Sequence, residues 1–545
     1  MTRLLACVPL ALVACGPSPR PQPIPAPPVE SEPAAIRPEP TMQPPATFPT
    51  QTAVPQDLSF PAEEFRTKQP AAGPPRPLRL PKVKPFALKN GVKVFLVEQH
   101  ALPIISIDLN FDGGAMTDPR GKEGLASVCM SMLTEGTDKL DKIQYAEALA
   151  DVASNISAYA SEDAIGLTLS TLSKHLQPTF DQFVATLRTP AFRASDFDRL
   201  VKRRIENVRQ SKGNPASVAG RVGGGVLYGP DHPFGAVTTE ESLRAITIDD
   251  CKQHAATYFK PGNARLFVVG DLTESQVRAS FEGGELAAWT GAAPKLPALR
   301  NPQTLAGRLF FVHIPGAAQS QVAMLHFGPK RTAPEFFANT MMASVFGGSF
   351  SSRINMNLRE DKGYSYGARG GFNYSKQYGT FQASASVRTD ATYQTLLEID
   401  REVKELSSGK KPIDKDELER EKQGAVLGLP GAFATGQSAL GQYRRLVYYG
   451  LPLDYYDSYV AKVAAVNEAQ VKTAAAKQLK PGQAVYLIVG DGDAKVVVHT
   501  AGKDVPYLKD GKQLTLREAL ADLAARGDVG AGGLVELDTD GRPKT

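Results

Sequence analysis

The chain has 545 residues, 42% of them hydrophobic and 22% charged, with a formal net charge of +5. So weak a balance, with lysine and arginine scattered and no basic stripe among aromatics, argues against a nucleic-acid partner. Four cysteines in this length make no disulfide framework, and the length is ample for two or three domains with full cores.

Arg3 is followed by the apolar run Leu4 to Val13, too short to span a bilayer, and then by Leu12-Val13-Ala14-Cys15-Gly16. This resembles a bacterial lipobox: residues 1–15 read as a signal peptide and Cys15 as the lipidated first residue of the mature chain. Gly16, where aspartate is associated with inner-membrane retention, points to the outer membrane and places the body on its periplasmic face. Two or three acyl chains anchor a protein stably, where one is marginal. Residues 16–83 follow as a tether. Between Pro17 and Pro81 lie 20 of the 42 prolines, a composition that cannot bury enough apolar surface to fold. At about 3.1 Å per residue in polyproline II stretches, it holds the body on the order of 100 Å from the membrane. With Cys7 removed and Cys15 lipidated, only Cys129 and Cys251 remain, and both are expected as buried apolar thiols.

The body is duplicated. Lys260-Pro-Gly-Asn-Ala-Arg-Leu-Phe-Val-Val-Gly-Asp271 recurs as Lys480-Pro-Gly-Gln-Ala-Val-Tyr-Leu-Ile-Val-Gly-Asp491, and Tyr228-Gly-Pro recurs as Tyr449-Gly-Leu-Pro at nearly the same offset. Each copy opens with two strand-like runs, Val92 to Glu98 and Ile104 to Phe111, then Leu309 to Ile314 and Gln321 to Phe327. Helical stretches follow, then a strand pair (Ile156 to Ser161 with Ile165 to Thr171; Tyr366 to Tyr374 with Gly379 to Val387), long helices and a closing strand. Strands grouped between groups of helices predict an α+β fold, a sheet with helices on one face. The copies are placed at 84–290 and 303–500, joined by the Pro-rich stretch from Ala292 to Pro302. Residues 501–545, with a short helical run at Leu516 to Arg526, are expected to form a flexible C-terminal tail.

Within the first copy, Gly124-Leu-Ala-Ser-Val-Cys-Met-Ser-Met-Leu-Thr-Glu-Gly-Thr137 has helical periodicity, with Ser127 and Ser131 one turn apart on one face. Its frame resembles the zinc segment of the pitrilysin/insulinase family (peptidase family M16), Gly-Leu-Ala-His-x-x-Glu-His-x-x-x-x-Gly-Thr. In that motif two histidines at i and i+4 clamp the metal and the glutamate polarises its water. Here Ser127, Met130 and Ser131 stand at the three chemical positions, so the zinc motif is degenerate. The family's third ligand, a glutamate about 80 residues after the first histidine, falls near Glu206 or Asn207, and Glu206 reads as a solvated helix carboxylate among Arg203, Arg204 and Arg209. The seven histidines supply no i,i+3 or i,i+4 pair, and no metal ligand set is assigned to this chain.

The second copy carries Phe346-Gly-Gly-Ser-Phe-Ser-Ser-Arg-Ile-Asn-Met-Asn-Leu-Arg-Glu-Asp-Lys-Gly-Tyr-Ser-Tyr-Gly-Ala368. This resembles the family's other signature, and by position Arg359 and Tyr366 take the places of the arginine and tyrosine that reach across to substrate. A guanidinium and a phenol suit a peptide carbonyl and its developing oxyanion. Gly347, Gly348 and Gly363 read as turn and packing glycines. Arg221-Val-Gly-Gly-Gly225 lacks the Lys-Ser/Thr of a phosphate loop, and His232 reads as a structural loop residue.

The resemblance implies two homologous α/β-roll domains closing as a clamshell on a peptide. It also implies division of labour, since some members work as two unlike subunits, one with the zinc motif and one with the arginine and tyrosine. The expectation is a lipid-anchored envelope protein, the zinc-free subunit of a heterodimeric metallopeptidase. It would use Arg359 and Tyr366 in trans, with peptide as ligand and zinc held by the partner, and would have no autonomous peptidase activity. The alternative is a non-enzymatic scaffolding or peptide-binding lipoprotein that keeps the fold for assembly.

Overall fold

The computed structural model describes residues 80–302, 305–500 and 502–544. The signal segment, Cys15 and nearly all of the tether lie outside the described residues. In the first lobe six strands, β1 (Lys84–Ala87), β2 (Lys93–Glu98), β3 (Ile104–Asp112), β4 (Asn155–Ala160), β5 (Ala164–Leu172) and β6 (Ala264–Gly270), make one sheet in the order β1-β2-β6-β3-β5-β4. Its helices are α1 (Leu125–Met132), α2 (Lys142–Ala150), α3 (Leu176–Arg188), α4 (Ala194–Ser211), α5 (Pro215–Tyr228), α6 (Glu240–Ala245), α7 (Ile248–Tyr258) and α8 (Glu274–Phe281). β6 runs parallel to β2 and antiparallel to β3, so the sheet is mixed.

The second lobe repeats the plan with β7 (Leu309–His313), β8 (Gln319–Gly328), β9 (Ser365–Tyr374), β10 (Gly379–Arg388) and β11 (Val485–Gly490). Its helices run from α9 (Phe336–Ala343) and the single turn α10 (Arg353–Asn355) through α11 (Thr392–Ser407), α12 (Lys415–Gly428), α13 (Gly436–Tyr448), α14 (Tyr459–Ala464) and α15 (Glu468–Gln478). Two short hairpins follow, β12 (Val497–Thr500) with β13 (Lys503–Pro506) and β14 (Leu508–Lys509) with β15 (Lys512–Gln513), then α16 (Leu516–Arg526) and β16 (Leu534–Leu537). Among the described residues no helix is long and apolar enough to cross a membrane.

The C-terminal stretch is therefore no flexible tail. α16 starts at a capping box, with Thr515 and Glu518 satisfying each other's backbone amides, and stops at Gly527 in the left-handed region. It buries Leu516, Leu520 and Leu523 completely in the second core, each worth about 1.5–3 kcal/mol. β16 then pairs in parallel with β7, giving the order β16-β7-β11-β8-β10-β9. The place that β1 fills in the first sheet is filled in the second by the end of the chain.

Alternation along β3 explains how the lobes join. Ile105, Ile107, Leu109 and Phe111 face the first lobe's own helices, while Ser106, Asp108 and Asn110 point to the opposite face. That polar face is not solvated. α13 of the second lobe lies across it, with Ala439, Leu440, Tyr443 and Leu446 packed on Val97, Phe267 and Val269, and Arg444 reaching Asp108 at 2.7 Å. Asp108 is fully buried and also accepts from the Tyr159 hydroxyl at 3.0 Å. Reciprocally, α5 of the first lobe lays Val218, Val222 and Val226 on the outer face of the second sheet, against Phe310, Val312, Leu325 and Leu487. Each lobe thus covers the other's sheet with one of its own helices.

Candidate functional site

α1 begins at Gly124, whose φ of +103° and close approach to Thr238 exclude a side chain. No side chain of Gly124 is there to cap the helix, so Asp118 does it from the preceding turn, accepting from the Gly124 and Ala126 amides at 2.8 and 2.9 Å. Burial raises its carboxyl to about 6. The helix buries Leu125, Val128, Cys129, Met130 and Met132 and leaves Ser127 and Ser131 partly open. Met130, at the position of the family's glutamate, sits in the core of the first sheet.

The thiols expected at Cys129 and Cys251 are joined in a disulfide that ties α1 to α7, with 4.8 Å between their Cα atoms. The pair is 122 residues apart in sequence. Only the packing of α7 on α1 brings them together, so spacing could not reveal it.

α4 is the helix that would deliver a third ligand, and it does pack on α1. The side chain it presents is Arg204, whose Nη2 donates to Ser131 Oγ at 2.6 Å, while Ser131 Oγ donates to the Ser127 carbonyl at 2.9 Å. Glu206, predicted near the ligand position, faces outward and pairs with Arg209 at 2.7 Å; Asn207 is exposed. Two neutral hydroxyls, a buried thioether and a guanidinium do not fit zinc, which takes imidazole, thiolate or carboxylate donors. Sequence reading placed Arg204 only among the neighbours of Glu206. Its one local signal was its position on α4, two or three residues before the expected ligand.

The second lobe's signature is built differently. Ser344–Gly348 and Met356–Asp361 are π-helical turns flanking α10, a feature that often accompanies functional sites. Gly347 lies directly against Gly370 of β9, where a Cβ would come within 2.2 Å of the Gly370 amide nitrogen. Arg353 is anchored on Glu417 and on the Lys411 and Pro412 carbonyls. Asn355 bridges the Phe350 carbonyl and the Ala368 amide, and Asn357 holds Glu398 and Glu402. On this fixed base Arg359 extends over the Phe350 ring at 4.7 Å and pairs with Glu360 at 3.1 Å. Tyr366 on β9 is 88% exposed, and Phe350 and Met356 of the same signature are also exposed.

The candidate residues thus fall into two sets. Ser127, Ser131 and Arg204 meet in the first lobe, Arg359 and Tyr366 stand in the second, and among the described residues no hydrogen bond or ion pair links the sets. A cavity of about 640 Å³ where the lobes meet is lined by Tyr159, Asp163, Arg221, Tyr228, Tyr374 and Arg445, among others, and holds none of them. His232 is buried at this junction, with Nδ1 accepting from the Phe234 amide and Nε2 3.1 Å from the Arg300 carbonyl. Its ring nitrogens are thus occupied by backbone groups.

Comparison with known proteins gives two matching family models, insulinase (peptidase family M16) over residues 93–220 and peptidase M16 inactive domain over 245–425. The non-peptidase homolog YmxG of Helicobacter pylori is 23% identical over 388 residues, 70% of this chain and 87% of the relative. The zinc protease PqqE of the same organism is 22% identical over 52% of this chain and 65% of its own length. A solved peptidase M16 inactive domain from Pseudomonas fluorescens superposes with a TM-score of 0.69 at 24% identity, covering 75% of this chain and 98% of that one.

Proposed function

The chain belongs to peptidase family M16, and we propose that it is the zinc-free subunit of a two-chain metallopeptidase, binding extended peptide and lending Arg359 and Tyr366 to a partner's metal site. The observation that carries this is an asymmetry. The first lobe has a guanidinium against its degenerate motif, whereas the second holds Arg359 and Tyr366 on a fixed base with nothing packed over the phenol. The exchanged helices fix one lobe on the other, so these side chains are presented outward to another molecule. Zinc would be the partner's, and this chain would have no peptidase activity alone.

Peptide would be held by strand addition. β4 ends the first sheet and β9 ends the second, each with an edge that no described strand pairs. The Arg359 guanidinium and the Tyr366 hydroxyl would donate to a peptide carbonyl as negative charge grows on its oxygen. Two relatives in one organism, one named a non-peptidase homolog and one a zinc protease, support such a pairing. The lipobox-like Cys15 and the Cys129–Cys251 disulfide support an oxidising envelope compartment.

The test is co-expression with a neighbouring gene product that carries an intact His-x-x-Glu-His motif, followed by a peptide-cleavage assay. Cleavage should need both chains, and Arg359→Ala or Tyr366→Phe should lower kcat about 100-fold, the scale of losing one oxyanion donor. Full activity in both variants would refute the role in trans. A stable complex without hydrolysis would favour scaffolding instead.

A further inference from the structure

Arg204 of α4 has no acid partner among the described residues, although acids lie close by on the same helices. Glu135, a few residues beyond α1, is buried and already shared by Lys142 at 2.6 Å, Arg199 at 2.7 Å and Arg203 at 3.7 Å, while Asp196 is taken by Arg199 at 2.8 Å. Among the described residues Arg204 has no carboxylate within ion-pair distance, and its single side-chain partner is the neutral Ser131 hydroxyl. The guanidinium is half-buried, and desolvation together with Arg203 pushes its pKa down. A half-buried guanidinium bonded to one neutral hydroxyl keeps donors free for an anion, and its planar fork matches a carboxylate.

Position supplies the anion's carrier. α1 packs against β4, the free edge strand of the first sheet, so a peptide added to that edge would run past the helix that carries Ser127 and Ser131. We propose that Arg204, braced by Ser131, is a carboxylate-binding site that takes the C-terminal carboxylate or an acidic side chain of a peptide lying along β4. In place of a metal cation that cleaves, the chain would use an organic cation that holds. This rests on the peptide-binding reading above and deepens it by naming the substrate class.

The probes are two pairs of fluorescent peptides, tested on the purified chain by anisotropy. In the first pair a peptide without acidic side chains ends in a free carboxylate or an amide. In the second an acetylated, amidated peptide carries glutamate or glutamine at its centre. One pair should show at least a ten-fold preference for the acid, the scale of one charge-assisted hydrogen bond, and which pair does so identifies the source. Arg204→Gln should abolish the preference while leaving the neutral peptide's affinity in place, Arg204→Lys should keep part of it, and Glu206→Gln should leave it intact. Equal binding of acid and neutral members by the native chain, or a preference that survives Arg204→Gln, overturns the site and leaves peptide binding standing. Failure of every peptide to bind overturns both.

Discussion

The two lobes share a sheet order and a chain path, yet they treat their signature segments in opposite ways. In the first, α1 is a regular helix riveted to α7 by a disulfide and to α4 by Arg204, its central Met130 turned into the core. In the second, π-helical turns and buried asparagines hold a segment whose Arg359 and Tyr366 stay outside. The first motif is locked between helices, while the second leaves its arginine and tyrosine toward solvent. A duplicated scaffold lets this happen because each copy's core is separate, so one motif can lose its ligands without disturbing the other lobe's packing.

The largest way to break the comparison is to separate the lobes. Arg444→Met leaves the fully buried Asp108 without its cation and should cost about 3–5 kcal/mol, read as a drop in the urea midpoint. A loss under 1 kcal/mol would mean that Tyr159 alone satisfies the carboxylate. Next is the rivet: Cys129→Ala with Cys251→Ala opens a loop of 122 residues and should cost about 2–5 kcal/mol, lowering the melting temperature, while the partner-dependent cleavage proposed for Arg359 and Tyr366 should persist. Loss of partner-dependent cleavage in that variant would show that the lobes' signatures are coupled.

Smaller, and different in the two lobes, is the response to acid. His254 in the first lobe and His326 in the second are buried and both held down to about 4 by desolvation, so the unfolded chain binds those protons first. Their contribution is fully present above pH 6.5 and is lost as pH falls toward 4, at most about 3 kcal/mol each. Asp118 works against them, because its raised carboxyl takes up a proton near pH 6 in the folded state and stabilises the first lobe as pH falls toward 4. Urea titrations at pH 7 and 4.5 should therefore show a smaller loss than the two histidines alone would give, and Asp118→Asn should enlarge it. An unchanged acid loss in that variant would mean that the two amide donors keep Asp118 in the ordinary carboxylate range. The histidines themselves differ. His326 Nε2 accepts from the Lys480 amide, whereas among the described residues neither nitrogen of His254 has a partner, so His254→Phe should be tolerated far better than His326→Phe.

The sequence alone determined the duplication, the strands and helices of each copy, and the absence of zinc ligands at Ser127, Met130 and Ser131. All of these are written in short windows, in periods of two and 3.6 or in a motif read residue by residue. It could not tell what meets what. The alternation of β3 marks Ser106, Asp108 and Asn110 as a separate face, and nothing local says that this face is buried under α13 rather than wetted. The Cys129–Cys251 bond, the pairing of β16 with β7 and the approach of Arg204 to Ser131 likewise join residues far apart in the chain. A side chain's type fixes what it can bond to, but its partner is chosen by the packing of helices and sheets. That packing turned an empty motif into a site with a cation of its own.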